Sequence, residues 1–321
     1  MFAWDSVSLG AFKTCPRLFW YTIVKGYRPK DESVHLRFGI EYHKALQEYD
    51  IWKTRGESYE EALRHCVRDL LVRTVDWRPD HKYKNRDNLI RTVIWYVEKF
   101  RDDPAVTVKL SDGRPATEVS FRFELDWGPK QGQNLTASQV EERQRGVFNT
   151  QVNQPYLLCG HLDRIVSFAD SIFVMDHKTT KSQPSSWYYT QYEPDNQMTL
   201  YTLAGQVVLN SPIKGVIISA AQVLQETSDF GRGLTYRTPE QIEEWLDGLR
   251  FWFAQQEACA VADHWPMNDK SCNSYRSQES ESIGCPFRLA CSKQESVREA
   301  FLNSNYDKLD EKSRWNPLQP R

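Results

Sequence analysis

The sequence predicts an α/β fold in which helices cover a central sheet, and three patterns predict it. Residues 36–52 and 86–101 carry apolar side chains at helical spacing. Residues 117–126 alternate Glu118, Ser120, Arg122 and Glu124 against Val119, Phe121, Phe123 and Leu125, the period of a half-buried strand. Residues 160–178 read as an apolar hairpin. Its Ile165, Val166, Ile172, Phe173, Val174 and Met175 make both strands apolar on both faces, as in the middle of a covered sheet.

The chain has 321 residues, 40% hydrophobic and 13% aromatic, enough to build a large core. Residues 6–27 are expected to form an aromatic-rich helix broken at Cys15-Pro16, because proline restricts the residue before it. The helix over 36–52 carries Ile40, Leu46 and Tyr49 near one face and turns His43 inward. Helical patterns follow at 58–78 and 86–101. Between them, His81-Lys82-Tyr83-Lys84-Asn85-Arg86 is basic with an interleaved aromatic, so Lys82, Lys84 and Arg86 are candidate phosphate contacts, or a solvated connection.

The strand over 117–126 is expected to be the first of the sheet. Residues 128–153 are polar apart from Leu135, Val140 and Phe148 and read as an insertion. A Ser/Gln/Tyr-rich loop after the hairpin leads to Pro194 and a helix over 195–208, on which Gln197 and Tyr201 stand one turn apart. An apolar strand over 213–223 and an amphipathic helix over 239–259 come next. Residues 272–291 are a loop-rich segment bearing cysteines, and residues from 303 onward read as a polar tail.

A net charge of −2 and a pI near 6.4 exclude a globally basic nucleic-acid coat but leave room for a confined basic groove. The N-terminus lacks a basic segment followed by an apolar core, and no apolar run approaches the ~20 residues of a membrane span. The expectation is a soluble, cytoplasmic protein. Three of the seven cysteines fall in one late segment, residues 272–291, a pattern of metal ligation more than of a secreted disulfide framework.

The hairpin carries the chemistry. A two-residue turn at Ala169-Asp170 would set Asp163 opposite Asp176 and send Lys178 to the same face, whereas a three-residue loop would break that register. Carboxylates there suit a hard cation such as Mg²⁺ or Mn²⁺, and an adjacent ammonium can orient or help deprotonate water for attack on phosphorus. A cation would also relieve the cost of burying acids in a covered sheet.

The ordered set of segments resembles the RecB-type branch of the PD-(D/E)XK nuclease superfamily. Phe12-Lys13-Thr14-Cys15-Pro16-Arg17-Leu18-Phe19 opens it, Phe38-Gly39-Ile40-Glu41-Tyr42-His43 is similar to its metal-histidine helix, residues 160–178 to its catalytic hairpin, and Gln197-Met198-Thr199-Leu200-Tyr201 to its Q-x-x-x-Y helix. Leu162 stands where the superfamily name has proline, and Asp176 where glutamate is commoner. The resemblance implies a restriction-endonuclease-like core around a mixed β-sheet, in one elaborated domain. Residues 30–110 would be a helical insertion, 117–225 the catalytic core, 239–300 a C-terminal helix and cysteine segment, and 303–321 a tail.

On the same resemblance, His43, Asp163, Asp176 and the His177 carbonyl would ligate the cation, and Glu118 would reach a second one through water. Lys178 would position the attacking water, with Gln197 and Tyr201 steadying Lys178 and the phosphate. The implied activity is metal-dependent DNA hydrolysis, exonucleolytic on single strands or duplex ends. Its setting would be recombination, repair or CRISPR or phage DNA processing, with a helicase or a CRISPR or recombination protein as partner. A non-catalytic DNA-binding or scaffolding module is the alternative.

Cys285-Pro286-Phe287-Arg288-Leu289-Ala290-Cys291 has the spacing of the superfamily's iron–sulfur subgroup, which includes CRISPR-associated exonucleases and the AddB subunit. The resemblance implies that Cys15, Cys272, Cys285 and Cys291 hold a [4Fe–4S] cluster, although twelve residues separate Cys272 from Cys285 where two are usual. Four thiolates would equally hold Zn²⁺. Cys66, Cys159 and Cys259 are assigned to the core.

Overall fold

The computed structural model describes residues 3–30, 33–125, 156–274 and 284–310. The expected insertion at 128–153, and residues 311–321 of the expected tail, lie outside the described residues.

The chain opens with β1 (Ala3–Trp4) and α1 (Ser6–Thr14), whose N-cap Asp5 forms a reciprocal capping box with Ser8. Helix α1 stops at the extended Cys15, and Pro16 starts α2 (Pro16–Phe19) at the position where its missing N–H costs nothing. A π-turn over Trp20–Val24 then leads into β2 (Tyr27–Pro29). The single broken helix expected over 6–27 is therefore two helices, a π-turn and a strand.

Three helices form the next layer: α3 (Val34–Thr54), α4 (Tyr59–Arg73) and α5 (Arg86–Lys99), capped by Ser33, Ser58 and Asn85. Helix α4 ends five residues short of the expected 78. They share a cluster that includes Phe38, Tyr42, Leu46, Cys66, Leu70 and Leu89, closed against the sheet by Ala221 and Val223.

Among the described residues the sheet has seven strands. After β3 (Val106–Thr107) and β4 (Thr117–Leu125) come β5 (Tyr156–Phe168) and β6 (Ser171–Thr180). Ala169 and Asp170 form a two-residue turn, both at positive φ (47° and 56°), the hand that matches strand twist. Phe168 pairs with Ser171 and Arg164 with Met175, so the register continues to Asp163 facing Asp176.

Beyond β6 lie α6 (Ser186–Tyr189), α7 (Asn196–Leu209), β7 (Gly215–Val223), β8 (Ser228–Thr235) and α8 (Pro239–Val261). Strand β6 runs parallel to β7, while β4 with β5, β5 with β6 and β7 with β8 are antiparallel. The sheet is thus mixed and covered by helices. The strand over 117–126 is not its first, because the two-residue β1 and β3 precede it and are too short to show a period. Strand β8 was not expected at all.

The chain ends in α9 (Asp269–Ser274), α10 (Arg288–Cys291), α11 (Glu295–Asn305) and β9 (Tyr306–Lys308). Residues 303–308 are therefore not a tail: β9 pairs antiparallel with β2. Two aromatic centres hold the ends. Trp4 lies stacked on Phe253 at 4.6 Å and on Phe19 at 5.5 Å inside the main core, while Tyr21, Phe287, Leu302 and Tyr306 build a separate small core beside Cys15. No helix among the described residues is long and apolar enough to cross a membrane.

Candidate active site

The site gathers where β5, β6, β4, α3 and α7 meet. Helix α3 extends His43 toward the sheet, and its Nδ1 lies 3.3 Å from Oδ2 of Asp163 on β5. The same Oδ2 accepts the His177 amide N–H at 2.9 Å. Burial works against charge on His43, but Asp163 beside it, with Asp176 farther off, lifts its pKa to about 9. Burial likewise opposes ionisation of Asp163, yet the His43 imidazolium, with Lys178 farther off, holds its pKa well below the usual carboxylate range. Without a metal the two form an ion pair near neutral pH.

Glu118 stands on β4 opposite Asp163, between the pairs Thr117–Arg164 and Val119–Leu162. Its φ of 47° is left-handed, a conformation that costs a non-glycine residue of order 1–3 kcal/mol and persists only where surroundings enforce it. One ligand atom from each of His43, Glu118 and Asp163 lies within 4.8 Å of the other two. Two carboxylates and an imidazole at that separation fit a hard divalent cation.

Asp176 and Lys178 project together from β6. Asp176 is 1% exposed, and burial lifts its carboxyl to about 6 while Lys178 opposes the rise. The Lys178 ammonium donates to Asp176 Oδ1 at 3.1 Å and to Gln197 Oε1 at 2.8 Å. Burial disfavours its charge, but Asp176 and Asp163 outweigh this and raise its pKa. Lys178 therefore stays an ammonium at neutral pH: it can orient and donate, but it cannot accept a proton. Gln197 in turn donates from Nε2 to the Tyr201 hydroxyl at 3.0 Å. Asp195 caps α7 through the Met198 N–H and fixes the first turn that carries Gln197.

The sequence-selected residues thus converge in two linked groups, His43–Glu118–Asp163 and Asp176–Lys178–Gln197–Tyr201. Asp176 contributes to the second by pairing with Lys178. His177 reaches Asp163 through its N–H, while its imidazole points to the other face, ringed by Tyr42, His43 and Tyr96. Its Nδ1 is buried without a hydrogen bond, and burial keeps the ring neutral. On that face Arg164 bonds Thr107 and the Ala105 carbonyl and pairs with Asp50 at 3.1 Å. A cavity of about 400 Å³ lies there, lined by Tyr49, Tyr96 and Arg164 among others.

The basic stretch divides. Lys82 lies over the Tyr83 ring. Lys84 turns inward, 2% exposed, with Nζ 4.2 Å from the centre of the Phe38 ring and no hydrogen bond among the described residues. Arg86 braces the end of α4 through Thr74 and the Leu71 carbonyl. Sequence reasoning overlooked Tyr188 and Tyr192, whose hydroxyls meet at 3.1 Å within the influence of Asp176. The run Trp187-Tyr188-Tyr189 so soon after Lys178 was the available signal.

At the far end, Cys15, Cys285 and Cys291 share the small core, and Cys272 lies beside Cys285. Burial raises the pKa of the last three, and each of those three also senses other thiols of the set. The Asn268 N–H donates to Cys15 Sγ at 3.3 Å, and the Cys285 N–H to the Cys272 carbonyl at 2.9 Å. The long 272–285 spacing does not keep Cys272 away. Cys66 and Cys159 are buried core residues, and Cys259 packs half-buried against the core.

No curated protein matches this sequence. A crystal structure described as a "Putative exonuclease" from Eubacterium rectale is 10% identical, covers 90% of this chain and 93% of its own, and superposes with a TM-score of 0.48. The sequence profile of the PD-(D/E)XK nuclease superfamily matches residues 6–292. The chain belongs to the PD-(D/E)XK nuclease superfamily.

Proposed function

We propose that the protein is a divalent-metal-dependent deoxyribonuclease, acting as an exonuclease on single-stranded DNA or duplex ends. The observation that carries this reading is the Lys178 ammonium, fixed at 3.1 Å from Asp176 and 2.8 Å from Gln197 beside the His43–Glu118–Asp163 group. His43, Glu118 and Asp163 would hold Mg²⁺ or Mn²⁺, with Asp176 adjoining. The cation, when bound, supplies Lewis acidity toward a phosphoryl oxygen and lowers the pKa of water.

The remaining work falls to the chain. Lys178 is aimed by two acceptors and retains donor capacity for the attacking water or the phosphate as charge develops. Gln197 and Tyr201 fix the direction of that ammonium. Asp176 keeps it charged, and the burial of the whole group strengthens each electrostatic contact. Lys178 acts by position and charge, which leaves proton acceptance to another group.

The cysteines extend the proposal. Cys15, Cys285 and Cys291 share a small aromatic core, and Cys272, bonded through its carbonyl to the Cys285 N–H, would complete a set suited to a [4Fe–4S] cluster, with Zn²⁺ as the other metal such a set takes. Its role would be to join the start of the chain to residues 284–308.

End-labelled linear and circular single-stranded DNA, incubated with Mn²⁺, test the reading. Wild-type protein should degrade linear DNA and spare circles, and Lys178→Ala should be slower by at least ~10³, about 4 kcal/mol of barrier. Cleavage of circles would overturn the exonuclease assignment. Undiminished cleavage by Lys178→Ala would overturn the catalytic one, and no cleavage by metal-replete wild type would favour a binding module.

A further inference from the structure

We infer that Trp187 is a stacking platform for an unpaired nucleobase of single-stranded DNA beside the scissile phosphate. The inference rests on the nuclease reading above and names the form of DNA that the site accepts. At 83% exposure, Trp187 is the most exposed large apolar side chain among the described residues. A lone exposed hydrophobe ordinarily needs no explanation. The frame and position of this one set it apart.

The frame is rigid. Ser185 caps α6 through the Tyr188 N–H, Thr190 Oγ1 donates to the Trp187 carbonyl at 2.8 Å, and Gln191 Nε2 donates to the Tyr188 carbonyl at 2.7 Å. Tyr189 lies so close to β8 that a Cβ at Gly233 would come within 2.3 Å of its ring, and one at Gly231 within 2.9 Å of its hydroxyl. Those two glycines seat the short helix on the sheet. The backbone that carries the indole is thereby fixed, so binding a flat ligand need order only the side chain.

The position is the rim of the candidate active site. The neighbouring Tyr188 turns inward, where its hydroxyl meets Tyr192 at 3.1 Å and hydrogen-bonds Thr180, two residues beyond Lys178 on β6. Trp187 therefore stands one residue outside the group that would receive the phosphate. A projecting indole stacks on any base, but only on one released from its neighbours, as in a single strand or a frayed end.

Trp187→Ala and Trp187→Phe test this, alongside oligonucleotides carrying one abasic site stepped along the strand. Because the side chain is exposed, both variants should melt at the wild-type temperature. Trp187→Ala should raise KM for single-stranded DNA about tenfold with kcat unchanged, and Trp187→Phe should recover most of the loss. For wild type one abasic position should cost a similar factor, and Trp187→Ala should be indifferent to it. An unchanged KM, or an abasic penalty that survives in Trp187→Ala, overturns the inference.

A wild type that leaves all DNA intact would instead bring down the nuclease reading. The stacking is then decided separately by anisotropy of labelled single-stranded DNA in Ca²⁺. A tenfold weaker Kd for Trp187→Ala sustains it, and an equal Kd overturns it.

Discussion

Replacing Lys84 with Met should make the protein more stable, and the gain should shrink as pH rises. Lys84 is 2% exposed, and its Nζ has no hydrogen-bond partner among the described residues. Burial, with Lys181 adding repulsion, lowers its pKa from 10.5 to about 7. At about 1.4 kcal/mol per unit, that difference costs the folded state about 5 kcal/mol at neutral pH and below. The Phe38 ring beneath the ammonium offsets up to about 2 kcal/mol. Roughly 3 kcal/mol remains for Met, which keeps the length of the stem and discards the charge.

The sign follows from proton counting. Between about pH 7 and 10.5 the unfolded chain holds a proton on Lys84 that the folded chain has released, so raising pH stabilises the fold. The penalty is complete at and below pH 7 and gone above 10.5. Urea unfolding of both proteins at pH 7.0 and 9.5 measures it. Lys84→Met should lead by about 3 kcal/mol at the lower pH and by about 1 at the higher. A lead that does not change with pH, or a variant less stable than wild type, would refute the idea that the buried charge is uncompensated.

Gln197→Ala removes one of the two acceptors that aim Lys178 and should lower kcat about 10- to 100-fold with KM little changed, as measured on single-stranded DNA. Arg164→Ala strands Asp50 in the interior and should cost about 3–5 kcal/mol in urea unfolding at neutral pH. Cys285→Ser should abolish the broad absorbance near ~400 nm expected of anaerobically purified protein and speed amide exchange in residues 284–308. An unchanged spectrum with absorbance present would remove Cys285 from the ligand set.

What was legible in the sequence was periodic or had fixed spacing. The two-residue turn set the β5–β6 register, strand alternation put Asp176 with Lys178, and the i, i+4 interval stacked Gln197 on Tyr201. What depends on distant neighbours was not legible. The left-handed backbone of Glu118 leaves no mark on the alternation of its strand. Strand β8 escaped because Gly231 and Gly233, which interrupt its pattern, answer to the ring of Tyr189. Lys84 sits among polar residues in sequence, and only the fold turns it onto Phe38. The three-residue β9 carries no period, so its partner β2 gave it meaning that a polar tail lacked.

The pairing of β2 with β9 also orders events in biosynthesis. Tyr27 bonds Asn303 across 276 residues, and the small core begun by Cys15, Leu18, Tyr21 and Tyr27 is completed only by Phe287, Ala290, Leu302 and Tyr306. Closing so long a loop is costly, and nothing made earlier by the ribosome repays it there. At about 5–20 residues per second, the first helices wait on the order of tens of seconds with one side uncovered. Any metal taken up by the proposed four-thiol set would therefore arrive late, after the sheet and the Lys178 site have the chain they need to form. A nascent protein truncated before residue 285 would carry the hydrolytic residues without the clasp that joins its two ends.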